Sequence, residues 1–129
     1  MATLLVCLGA HEEALRYLRR CLKSNPGAPD FYLICRVEAL IGLGRFDQAL
    51  SDLERILSRQ PDWLMAHALA AIANEAAGNR EAARAAVANI RDLNAGFTVS
   101  LWRRFLFYPE RADVADLCAL LVRAGLPEA

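Results

Sequence analysis

Phe46, Ala49, Leu50, Leu53, Ile56 and Leu57 recur with the 3.6-residue period of one helical face, with polar residues between them. Ala82, Ala83, Ala86, Val87, Ile90 and Leu93 repeat that face further along. The stretches GRFDQALSDLERI, starting at Gly44, and GNREAARAAVANI, starting at Gly78, are offset by 34 residues and keep glycine, alanine and isoleucine in register. Gly44 and Gly78 fall where a preceding helix must stop and reverse, a place that often demands a positive φ. Asn79 is predicted to cap the next helix. Pro26 and Pro61 close the second helix of their units, because proline cannot continue a helix. Every connection is short, as in helical hairpins.

After residue 97 the pattern changes. Thr98 or Ser100 is predicted to cap a short helix holding Leu101, Trp102 and Phe105. Pro109 suits the entry to a last helix carrying Val114, Leu117, Cys118, Leu120 and Leu121, stopped by Gly125 and Pro127. At the other end, Met1 to Leu8 supply only a short first helix, roughly 12 Å long at 1.5 Å per residue. Its sequence TLLVCL is apolar where a terminal repeat normally turns a polar face outward. The expectation is that the chain is the C-terminal part of a longer protein, or that this face meets another molecule.

The spacing and its fixed residues resemble the tetratricopeptide repeat family, a 34-residue helix–turn–helix unit. Ala14, Ala49 and Ala83 match the alanine at the close contact of the helix pair; Leu18, Leu53 and Val87 match the large apolar position after it. Cys21, Ile56 and Ile90 fill the next inward position, and Pro26 and Pro61 the terminal proline. Ala95 replaces the third proline, Arg36 and Val37 the usual Leu-Gly pair, and Asn74 a tyrosine. The resemblance implies a single all-α domain over residues 1–129, a right-handed superhelix of about seven to eight helices: a partial repeat (1–29), two full repeats (30–63 and 64–97) and closing helices (98–129). It also implies a concave groove lined by Phe31, Ile34, Glu38 and Ile41 from one unit and Met65, Ala68, Ile72 and Glu75 from the next. The peptide-carboxylate clamp of chaperone-binding members needs lysines and asparagines there. Ile34, Glu38, Ala68 and Ile72 stand in their place, so an acidic peptide terminus is not the expected ligand.

Such a face, apolar with two carboxylates, suits an amphipathic or extended protein segment with a basic residue. The alternative occupant is the chain's own last helix. If a partner binds there, Ile72→Asp is expected to abolish binding with little change in helicity. The ending, with Trp102, Arg103, Arg104, Pro109 and Ala124 to Glu128, resembles the C-termini of bacterial signalling proteins that join a nucleotide-cyclase or DNA-binding domain to these repeats.

Charge adds exclusions. Fifteen basic residues balance 15 acidic ones, so neither nucleic acid nor an anionic membrane is an expected main partner. In WRRF the two arginines are expected to stay solvated while Trp102 and Phe105 pack. Lys23 is the only lysine, and with the abundant alanine this composition suits a GC-rich bacterial source. No apolar run approaches the roughly 20 residues of a membrane span, and the six residues before Cys7 include no basic one, unlike a signal peptide. A cytoplasmic location is expected, with Cys7, Cys21, Cys35 and Cys118 as buried small apolar residues. A zinc site from Cys7, His11, Cys21 and Cys35 lacks the paired short spacings of zinc modules.

Catalytic chemistry finds little material. Glu38 and Glu75 form an acid–base pair only if a substrate pocket joins them. His67, on a face with Leu64 and Ala71, reads as a packed histidine. The expectation is a protein-interaction module without enzymatic activity, metal or cofactor, the C-terminal scaffold of a signalling protein; a homodimer is compatible with it. The alternative is a small stand-alone chaperone that holds an apolar client segment.

Overall fold

The structure, a computed structural model, describes residues 11–25, 27, 30–104 and 114–128. Seven helices run through them: α1 (His11–Ser24), α2 (Asp30–Gly42), α3 (Phe46–Arg59), α4 (Leu64–Ala76), α5 (Arg80–Leu93), α6 (Val99–Arg104) and α7 (Val114–Arg123). No strand occurs among the described residues. The predicted first helix over Met1 to Leu8, with Cys7, lies outside them, as do Pro26, Phe105 and Pro109.

Consecutive helices from α1 to α5 pack on one another; α2 also touches α4, and α7 lies on α4 and α6. The helices differ in kind. α1, α3 and α5 each carry one apolar stripe, whereas α2 and α4 are apolar nearly all round. Helices of the second kind end up surrounded. In α4 every residue from Ala66 to Ala73 is buried. Its alanines remove the side-chain bulk that would hold neighbouring helices apart.

The alanine register is realised. Ala14, Ala49 and Ala83 are fully buried, beside the buried Leu18, Leu53 and Val87. Ile56 and Ile90 are buried in turn, but Cys21, their counterpart in α1, is half-buried. Among the cysteines Cys35 is buried and Cys118 half-buried, so two of the three described thiols are less enclosed than expected.

The helix ends explain the glycines. Gly44 has φ +76° and Gly78 φ +85°. At the first, Gly44 N–H donates to Ile41 O (3.0 Å) and Arg45 N–H to Leu40 O (2.8 Å). At the second, Gly78 N–H donates to Glu75 O (3.2 Å) and Asn79 N–H to Asn74 O (2.8 Å). These paired bonds satisfy carbonyls left over at a helix end, and they need a left-handed residue that glycine adopts without penalty. The same pair of bonds closes α7 at Gly125. Asn79 does occupy the position before α5, but its side chain makes no cap hydrogen bond. The hydroxyl cap is instead at Thr98, whose Oγ1 accepts from Leu101 N–H at 3.2 Å.

Arg36, which departs from the repeat pattern, has a structural counterpart. Its Nε lies 3.0 Å from Oδ2 of Asp52, tying α2 to α3. Asp52 is only 5% exposed. The contact is close but poorly aligned, so among the described residues Oδ2 has an ion pair without a directed hydrogen bond. Burial pushes the Asp52 carboxyl above its ordinary range, while Arg36 and then Arg55 pull the other way.

Candidate partner-binding face

Seven of the eight groove residues expected from sequence have described side chains; that of Phe31 lies outside them. Ile34 and Ile41 of α2 are buried, as are Ala68, Ile72 and Glu75 of α4, while Glu38 and Met65 are half-buried. All the apolar residues among these seven belong to one continuous core. The α4 row is therefore brought together, but it does not stand open.

What covers it is the end of the same chain. Near the start of α4, Trp102 of α6 directs its indole N–H at the Met65 sulfur, 3.3 Å away. Near the end of α4, Arg123 of α7 places Nε 3.5 Å from Oε1 of Glu75. Leu121, Ala124 and Leu126 are buried in the core that holds Ile72. Three hydrogen bonds hold the tail to α6: Val99 N–H to Pro127 O (2.9 Å), Ser100 N–H to Glu128 O (3.0 Å) and Ser100 Oγ to the same carbonyl (2.7 Å). Ser100, a candidate cap in the sequence, thus works as a tether.

This corrects one expectation. Ile72 is fully buried, so Ile72→Asp places an unpaired carboxylate in the core and costs about 4 kcal/mol or more. It is a folding mutation and cannot report selectively on binding.

The carboxylates of the face have different surroundings. The Glu75 side chain is 3% exposed and Arg123 is 59% exposed, so a buried anion is matched by a cation that keeps its own hydration. Glu38 is half-buried on α2. His67 is buried, and its Nε2 lies 2.7 Å from Pro61 O. A carbonyl only accepts, so Nε2 carries the proton and the ring pins the turn between α3 and α4. Cys118 sits near Arg103 and Glu128; burial chiefly raises its thiol pKa, which makes it a poor nucleophile. Among the described residues no three His, Cys, Asp or Glu side chains are grouped to hold a metal ion. Cys7 and the His11 side chain, needed for the zinc alternative, lie outside those residues.

One polar link at the α1 side was not anticipated. Arg45 Nη2 meets Glu12 Oε1 at 2.7 Å, joining the start of α1 to the turn between α2 and α3. Beside it, Leu15, Arg19, Arg36, Leu40, Arg45 and Gln48 line a cavity of about 40 Å³. The available signal was Arg36 itself, a charge where the repeat carries leucine, matched by Asp52 beside Leu53 on the inward stripe.

Tetratricopeptide repeat is also the family whose model matches residues 8–72, from before α1 into α4. The chain belongs to the tetratricopeptide repeat family. No curated protein and no solved structure matches it. Repeats of this family generally mediate protein–protein interaction and typically bind protein or peptide partners. The match stops at Ile72, so α5, α6 and α7 lie beyond the matched residues. No described helix is long and apolar enough to cross a membrane.

Proposed function

We propose that this tetratricopeptide repeat chain is the C-terminal scaffold part of a bacterial signalling protein and that it binds another protein. Its partner segment is amphipathic, with aliphatic anchors and a basic residue. The segment engages the face marked by Glu38 and Met65 at its half-open positions and by Glu75 beneath the tail. The observation that carries this reading is Glu75, whose side chain is 3% exposed on a largely apolar helix and whose described ion partner belongs to the chain's own end. An anion so placed selects for a cation on whatever covers it.

The test is selection of a displayed peptide library against the folded chain. Enrichment of amphipathic sequences with a fixed arginine or lysine, lost when Glu75→Gln is the bait, is the expected result. Enrichment that ignores Glu75, or that favours acidic peptides, would refute this partner chemistry.

A further inference from the structure

Resting on that reading, we infer that α7 is an exchangeable occupant of α4, and that the natural partner is a helix repeating α7's own pattern. That pattern is an aliphatic residue at the place of Leu121, a guanidinium two residues on and a small residue at the place of Ala124. Leu121 and Ala124 are buried against the core while Arg123 reaches Glu75, so these three positions define what the face accepts.

Two features make α7 separable from the repeats. It packs on α4 and α6, whereas α4 is held by α2, α3, α5 and α7. Ala49, Leu53, Ile56, Ala83 and Ile90 stand on α3 and α5, which pair with α2 and α4, so the helix pairs of the repeats are built by packing of α2 on α3 and of α4 on α5. A ten-residue helix is also too short to be stable alone, so α7 exists by virtue of docking. Its outward side is not that of a finished surface: Val122 is 43% exposed, Ala119 is exposed, and Leu117 and Leu120 are only half-buried. Subglobal opening of such a unit lies below global unfolding in free energy.

Belonging to the same chain gives α7 the advantage of an attached ligand, equivalent to an effective concentration on the order of millimolar, and the hydrogen bonds between Ser100 and Glu128 add to the docked state. A partner supplying the same contacts in trans therefore binds weakly until α7 is loosened, and its apparent affinity rises with the fraction of open chain.

The experiment uses the full chain and a fluorescent peptide of residues 114–128. Arg123→Glu in the chain sets a second carboxylate against Glu75 and releases α7. Peptide anisotropy is expected to report binding at least about tenfold tighter than to the wild type. In the converse pair, Glu75→Lys chain should prefer peptide carrying Arg123→Glu. A folded R123E chain that binds the peptide no better than wild type overturns the inference. Hydrogen exchange of the wild-type chain tests it without any variant: amides of α7 should exchange through an opening that leaves α4 protected. Equal protection of α7 and α4 overturns it. A concentration-dependent dimer held by exchanged α7 helices assigns the face to a second copy and overturns the partner reading. Success of the library selection with failure here leaves the interaction function standing and removes only the exchange.

Discussion

Arg123, on the last helix, lies 3.5 Å from Glu75, on the central one. The two side chains meet across the seam where the tail closes over the repeats, and they are unequal partners: the glutamate is almost fully buried and the arginine largely hydrated. Removing the arginine strands a buried anion, whereas removing the glutamate's charge strands nothing that water cannot reach. Arg123→Ala is expected to lower stability by about 1–2 kcal/mol, discounted from a fully buried pair because Arg123 is solvated. Glu75→Gln should cost less, and the double variant should recover most of the arginine's loss. Urea unfolding of the four chains decides it; additive losses would show that the pair is not coupled.

Ala49 and Ala83 stand at the close approach of their helix pairs with no exposed surface. Leucine at either site adds three carbons where none fit, at an expected cost of about 1–3 kcal/mol. Thermal melts of both variants should fall. A pair of unchanged melts would mean that the repeat register is misplaced.

Most of the helical architecture was legible because it is written in a local code. The apolar period, the glycines at Gly44 and Gly78 and the matched alanines each act within one helix pair. The tail was harder. Its helices near Trp102 and Leu121 were readable, and the last helix was one of two occupants the sequence allowed for the groove. Which of them lies on α4, and through which contacts, was not readable, because docking depends on residues tens of positions apart. Here Met65 meets Trp102 and Glu75 meets Arg123. Asp52 was missed for a related reason: a single carboxylate on an inward stripe becomes intelligible only when Arg36 is found opposite it.

Gly78 offers a cleaner test of backbone than of packing. A methyl group at this position meets nothing within 4 Å, so the cost of Gly78→Ala is that of the left-handed conformation alone. About 1 kcal/mol is expected, with Gly78→Asn losing less because asparagine tolerates this region. Equal losses for both substitutions would point to a different role for the turn.

The Asp52–Arg36 pair predicts a pH signature. Burial raises the folded-state pKa of Asp52 above its unfolded value, so its protonated form favours the fold. That favourable contribution is complete below the unfolded pKa and disappears as pH rises through the folded one. At neutral pH the ionised carboxylate is then a net cost, only partly offset by Arg36 and Arg55. Asparagine is never charged and keeps nearly the same shape. Asp52→Asn should therefore melt at or above the wild-type temperature at pH 7, and its advantage should shrink as both proteins are taken through the acidic range. Comparing the two melts at each pH cancels the other carboxylates, which titrate alike in both chains. If the variant is instead less stable at pH 7 and the gap closes in acid, attraction to Arg36 outweighs desolvation, and the pair is a stabilising clamp between α2 and α3.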